Sequence, residues 1–415
     1  MDYRSAARGV GRLAVVGVVG AVLTTPARAG DLKNFISDLY GGDGITLDAL
    51  GHSGHFTNAS LKQLNNLDSG IVNGLSSQVA SPSSVSSFTF DLENAVFVRT
   101  TESLGPILAE RAETIGEWKI NFGVNYTEAK FKRYQGARLN NLGLEFEHEI
   151  EADDIDQNTG LPFDYTNDFI AVSIDATVEE RVAAFYATLG VTSRWDVGII
   201  VPFVVAKAKA SAVASIETSN AGGVFGAHVF GSSSETCTVL QGGNACADSN
   251  GGERGGMGDV IIRTKYNFLR GDEQLVDFSA LAQLAMPSGD ENNLLGTGQW
   301  RPLVLLILSK DLGPFTPHVN VGYEMSSVSS KWFSVPYAVG FDLRVVEQAT
   351  LAFEIIGRRG TYDNVKGSHT IDWAVGAKVN PWKTLTLIGN ARFPVNNGAG
   401  VRANVIWTAG VEYTF

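Results

Sequence analysis

Six histidines and two cysteines are the residues best suited to nucleophilic or metal chemistry in this 415-residue chain. His52 and His55 stand in Gly-His-Ser-Gly-His, where three-residue spacing in a Gly/Ser stretch without a third ligand describes a solvated surface better than a metal site. His148 and His228 fall in segments that read as loops, and His318 and His369 at the starts of extended runs. No His-x-Ser pair lies on such a run, so the adjacent base and hydroxyl of a lipase-type barrel are missing, and the expectation is a non-enzyme without a cofactor. Asp154, Asp156, Asn158 and Gly160 echo a calcium loop, but the glycine comes one position late and Tyr165 stands where a bidentate carboxylate is needed. The favoured reading is a solvated acidic loop, bridged to lipopolysaccharide by divalent ions at most. Cys237 and Cys246 lie in a Gly/Ser/Asn-rich stretch without further Cys or His ligands, which predicts one loop disulfide in an oxidising compartment.

The remaining chemistry is electrostatic. Asp196, Arg263, Lys265, Asp342, Arg344, Glu354, Arg358, Asp372, Lys378 and Arg392 each interrupt an apolar run at alternating positions. Over 259–268, Val260, Ile262, Tyr266 and Phe268 share one face of a strand, and Arg263 and Lys265 share the other. Turning either cation toward hydrocarbon would cost about 2–4 kcal/mol near a bilayer midplane. The apolar-out register therefore wins, with Tyr337, Phe341, Phe353 and Trp373 toward lipid and the ten charged residues lining a lumen. In a narrow bore, mixed charge holds a plug or sets ion selectivity. Bracing the wall of a filled barrel is the plainer alternative.

The elements that must position these residues are strands. At the C-terminus, Trp407, Ala409, Val411, Tyr413 and Phe415 form one side of a period-two ladder. Ending on an aromatic with a free carboxylate, this stretch resembles the closing strand of bacterial outer-membrane β-barrels, in which Tyr413 and Phe415 would serve the assembly machinery as a signal. Further candidate strands run over 118–127, 169–189, 195–203, 259–268, 276–286, 302–310, 316–325, 333–345, 351–359, 371–379 and 385–393. With 402–415 they make twelve, and an extra hairpin within 142–189 would make fourteen. Connections alternate between short (270–275, 311–315, 346–350, 380–384) and longer (287–299, 360–370), the habit of a transmembrane antiparallel β-barrel with periplasmic termini. Twelve strands leave a modest bore that an inserted segment can narrow.

Arg4, Arg8 and Arg12 precede an apolar run from Leu13 to Leu23 and a small-x-small site at Ala27-Arg28-Ala29, so 1–29 reads as a secretory signal peptide. Its removal takes away four arginines and one aspartate and shifts the formal charge from -12 to about -15, which argues against nucleic-acid binding. No later apolar stretch of about 18 residues suggests a membrane helix, and 46 glycines with 18% charged residues suit an all-β protein. Residues 30–113 read as a plug-like or periplasmic segment. It opens with Leu32, Phe35, Ile36, Leu39 and Tyr40 at helical spacing, stopped by Gly41-Gly42. Residues 114–415 read as the barrel.

Gly256-Met257-Gly258-Asp259-Val260-Ile261-Ile262-Arg263-Thr264-Lys265-Tyr266 resembles a motif of the MetA-pathway of phenol degradation family, a group of outer-membrane-barrel-like proteins. Met286-Pro287-Ser288-Gly289-Asp290, Leu308-Ser309-Lys310 with Gly313, and His318-Val319-Asn320-Val321-Gly322-Tyr323 follow in the family's order. Leu189-Gly190-Val191-Thr192 looks like its start, so the likeness covers roughly 185–415; Ser288 stands where the family often has Thr. The resemblance implies a Gram-negative outer-membrane channel for passive uptake of small hydrophobic or aromatic compounds. Its expected partners are that solute, outer-membrane lipid and lipopolysaccharide. A non-transporting structural or surface barrel, or an outer-membrane enzyme with an unrecognised site, is the alternative.

Overall fold

The computed structural model describes residues 31–39, 88–91, 96–99, 104–148, 155–161, 168–217, 238–240, 245–271, 274–327, 333–362, 365–382, 385–396 and 400–414. The leader at 1–29, His52, His55, His228, Asp154, Tyr165, Cys237 and Phe415 lie outside the described residues. Twelve strands form the wall: β1 Lys119–Tyr134, β2 Phe169–Thr192, β3 Trp195–Glu217, β4 Ile261–Leu269, β5 Asp277–Ala285, β6 Arg301–Ser309, β7 Phe315–Met325, β8 Phe333–Val346, β9 Ala349–Tyr362, β10 Val365–Trp382, β11 Leu385–Pro394 and β12 Val401–Thr414. Each pairs antiparallel with the next, and β12 closes on β1 from Val401↔Tyr134 to Thr414↔Asn121. Closure leaves no strand edge exposed to lipid, the condition for a sheet to cross a membrane.

The expected fourteen-strand alternative is not what forms. Leu142–Glu147 is a strand, but it pairs with the far end of β2, from Leu142↔Ile174 to Glu147↔Phe169, where β1 has already left off at Phe131↔Val178. It lengthens the wall and adds no stave. Ala245–Met257 does the same on β3, pairing from Phe203↔Met257 to Ser215↔Ala245 above the edge that β4 takes from Ile200 downward. The sequence reading ended β3 at Phe203 and took the Gly-rich stretch before Asp259 for loop. That stretch lacks apolar alternation, yet tertiary pairing makes it a strand. Its glycines have a use: Gly251 has φ +132°, and a Cβ there would stand 2.2 Å from the Ala208 carbonyl oxygen.

Around the membrane-spanning part the pleat separates two environments. Phe122, Ile199, Tyr266, Val321, Ile355 and Trp373 are exposed on the outside, while Asn121, Asp196, Lys265, Asn320 and Glu354 are buried within. Phe353 stacks on Phe341 at 5.3 Å and Trp373 on Phe393 at 4.6 Å, both on the apolar outer face.

Strands β2 and β3 outrun this belt. At 24 and 23 residues they reach roughly 80 Å at the usual rise, against about 30 Å for the nine residues of β4. Beyond Glu180 and Lys207 the alternation continues but its polarity swaps sides. Ile170, Val172, Ile174, Ala176 and Val178 of β2, with Ala206, Ala208, Ala210, Ala212 and Ala214 of β3, are buried inside, and Ser173, Asp175, Lys209 and Ser211 are exposed outside. Above the bilayer water wets the outer face, so the apolar face must turn inward and find a second layer. Leu32, Phe35, Ile36 and Leu39, with Phe131, Leu139, Leu142 and Phe146, supply it. The expected amphipathic helix at the start of this segment is instead two 3-10 turns, Leu32–Asn34 and Ser37–Leu39. Its four apolar residues are buried as their spacing implied, but a piece this short takes its shape from packing.

Candidate channel lumen and its internal strap

Residues 104–115 run through the barrel as an extended strap without a strand partner. Their backbone polar groups, shielded from bulk water, must be met by wall side chains. Leu104 N–H donates to Thr350 Oγ1 at 2.8 Å. The Glu354 carboxylate accepts from Ile107 at 3.0 Å, Leu108 at 3.2 Å and Ala109 at 3.3 Å. Asn320 accepts the Glu110 N–H and donates to its carbonyl, each at 2.8 Å. Ala112 N–H donates to Ser309 Oγ at 3.1 Å, and its carbonyl accepts from Ser279 Oγ and from Asn267 Nδ2 at 3.0 Å. Lys265 Nζ donates to the carbonyls of Arg111 at 3.1 Å and Glu113 at 2.6 Å, and Ile115 N–H donates to Asp196 Oδ2 at 3.0 Å. The strap thus crosses seven strands, from β9 to β3. Its own charges pair as it goes, Arg111 with Asp342 and Glu110 with Arg263 at 3.2 Å and Lys265 at 3.8 Å, all buried.

The opposite side of the lumen is filled by side chains. Lys378 pairs with Glu412 at 3.3 Å, and the Tyr186 hydroxyl donates to the same carboxylate at 3.1 Å. Tyr186 lies flat over Gly123, where a Cβ would stand 2.3 Å from the ring. Higher up, Asp372 pairs with Arg392 at 3.4 Å and with Arg402, and Glu324 pairs with Arg358 and with Arg301 at 3.9 Å.

Of the ten charged residues singled out in the sequence, Asp196, Arg263, Lys265, Asp342 and Glu354 meet the strap, while Arg358, Asp372, Lys378 and Arg392 join wall-to-wall ion pairs. Arg344 lies at the short-turn end of β8, cross-strand from Thr350. Sequence reasoning missed the neutral partners Thr350, Asn320, Ser309 and Ser279, which stand in the same inward phase and were detectable by it. It also missed Arg111 and Glu110, which sit in no periodic run. Cys246 is buried and disulfide-bonded. In the acidic loop Asp156 Oδ1 accepts the Asn158 N–H at 2.8 Å, which holds that carboxyl below its ordinary value and engages it in a local turn. Tyr413 is exposed on the outer face of β12, cross-strand from Leu385 and Phe122.

Two cavities flank the strap. One of about 230 Å³ lies above it, bounded by Leu108 and Glu110 of the strap, by wall residues such as Leu281, Leu303 and Ile356, and by Leu294 and Leu295 of the β5–β6 loop. The other, about 660 Å³, opens at the short-turn end and is bounded by Glu113 to Glu117, Asn267, Arg270 and Lys310. The strap contributes to both and stands between them.

No family model matches the chain, and no curated protein matches it in sequence. Among solved structures it is similar to an outer membrane channel from Pseudomonas putida F1, at 13% identity and TM-score 0.45 over 73% of this chain and 98% of that one. It is also similar to the toluene transporter TbuX of Ralstonia pickettii, at 10% identity and TM-score 0.36 over 72% of this chain and 90% of that one. A third is the CymD monoaromatic hydrocarbon channel, at 8% identity and TM-score 0.36 over 72% of this chain and 89% of that one.

Proposed function

We propose that the protein is an outer-membrane channel for passive uptake of small hydrophobic or aromatic compounds, closed at rest by the 104–115 strap. The observation that carries the reading is the pair of cavities lined by successive stretches of one strap, Leu108 and Glu110 in the first and Glu113 to Glu117 in the second. Each neutral strap hydrogen bond contributes only about 0.5–1.5 kcal/mol net and each one to Glu354, Lys265 or Asp196 about 1.5–3 kcal/mol, because water can replace the strap's groups on the wall once it moves. Opening by strap movement therefore leaves the wall ladders intact. The resemblance of its motifs to the MetA-pathway of phenol degradation family agrees with this reading. The decisive measurement is single-channel conductance in a planar bilayer together with solute uptake into proteoliposomes, with and without residues 30–113. Conductance or uptake that rises on removal of 30–113 supports the channel; none in either form overturns it. A second reading, a non-transporting structural barrel, is favoured by the Lys378–Glu412–Tyr186 packing across part of the lumen. It predicts that second outcome.

A further inference from the structure

Eight charged residues line the cavity above the strap, and seven of them have partners on the wall, strap or loop. Glu110 pairs with Arg263, Glu324 with Arg301 and Arg358, and Asp372 with Arg392, while Asp259 accepts from the Thr297 N–H at 2.8 Å. Glu180 is the exception. It is 5% exposed and borders the cavity, with no hydrogen bond or ion pair among the described residues. Its strand neighbours Val178 and Val182 are buried apolar groups and offer it nothing. No atom of Glu180 is among the fully enclosed polar atoms without a partner, so its carboxyl faces the cavity with its hydrogen-bonding capacity open to a molecule inside it.

We propose that Glu180 is the polar anchor of a solute site in this cavity, which takes a small apolar molecule bearing one uncharged hydroxyl. The proposal rests on the channel reading and names its solute class. Size fits a single ring with a short substituent, since the cavity is about 230 Å³ and a dry cavity of ~150 Å³ accommodates benzene. Leu281, Leu295, Leu303 and Ile356 supply the apolar walls. The head group follows from the surroundings of Glu180. Arg392 lines the same cavity and already places a guanidinium there. A cationic head would bring a further positive charge beside that guanidinium, whereas a hydroxyl donates to a carboxyl oxygen of Glu180 and adds no charge.

The test uses full-length protein and three similar-sized probes: benzyl alcohol, ethylbenzene and benzylamine. Uptake is measured in proteoliposomes, and binding separately as the ligand-induced shift in the barrel's unfolding midpoint, for wild type, Glu180→Leu and Glu180→Gln. Benzyl alcohol should saturate at the lowest concentration in wild type. Glu180→Leu should raise that concentration roughly 3- to 10-fold, the worth of one hydrogen bond. Glu180→Gln, which keeps an acceptor, should raise it less, and ethylbenzene should be unaffected by either change. Equal behaviour of benzyl alcohol and ethylbenzene, tighter binding of benzylamine, or loss of all three probes together in Glu180→Leu would overturn the anchor. Transport of ethylbenzene with no hydroxyl preference defeats this inference and leaves the channel reading standing. Glu180-dependent binding of benzyl alcohol without uptake of any probe supports the site and defeats the channel.

Discussion

The carboxylate of Glu354, on β9, receives the backbone N–H of Ile107 at 3.0 Å across 247 positions of sequence, and the next two N–H groups converge on it as well. One wall residue thus holds a whole turn of the strap. Glu354→Ala leaves these donors without a protein acceptor, at about 1–3 kcal/mol for a buried unsatisfied group, while every wall ladder survives. We expect the variant to fold and insert normally and to conduct several-fold more than wild type. Unchanged conductance in a correctly inserted barrel would argue that this part of the strap does not gate.

Arg111 and Asp342 form an ion pair in which both side chains are fully buried, with His318 Nδ1 3.5 Å from the same carboxylate. Removing one partner strands a charge, and Arg111→Ala should cost about 3–5 kcal/mol in denaturant unfolding of the lipid-reconstituted protein. The double change Arg111→Met with Asp342→Leu removes both charges and should recover most of that loss. A double variant as unstable as the single one would mean the pair is needed for more than mutual neutralisation.

The strands were legible in the sequence wherever lipid faced one side. Val260, Ile262, Tyr266 and Phe268 alternate with Arg263 and Lys265 because hydrocarbon and lumen impose opposite demands on successive residues. The strap was not legible. Residues 104–115 have no period, since their partners are wall side chains some 80 to 250 positions away, and nothing local records that pairing. The β2–β3 extension was half legible: the period-two signal continues past Glu180, but the swap of polar and apolar faces follows from the packing of Phe35, Ile36 and Phe146 against it. Glu180 itself was not legible, since nothing in the local sequence separates it from the adjacent Glu179. Only the cavity beside it sets it apart.

Orientation follows from the connections. The β4–β5 turn is short and Leu275 is 84% exposed there, whereas Leu161 belongs to the long β1–β2 excursion and is 65% exposed. Short turns face the periplasm in such barrels. A membrane-impermeant maleimide applied to intact cells should therefore label Leu161→Cys and leave Leu275→Cys untouched until the outer membrane is permeabilised. The reverse pattern would invert the barrel.

The chain's end should govern its insertion. On β12 the outward phase carries Trp407, Ala409, Val411 and Tyr413, and two-residue alternation makes Phe415 the next position in that phase. Glu412, in the inward phase, is anchored by Lys378 and Tyr186, so the register of this strand is fixed from the lumen side independently of its last residue. Deleting Phe415 should thus leave the closed barrel's internal contacts intact and withdraw only an aromatic from its outer rim. If the outer-membrane assembly machinery reads that rim, the deletion should leave most of the exported chain degraded in the periplasm, Tyr413→Ser should lower yield further, and Phe415→Trp should restore it. Protein refolded into detergent should have the same unfolding midpoint with and without Phe415, because the defect lies in delivery. Normal outer-membrane yield of the deletion would show that the terminal aromatic carries no assembly signal, and a lowered midpoint in detergent would show that it acts through barrel stability instead.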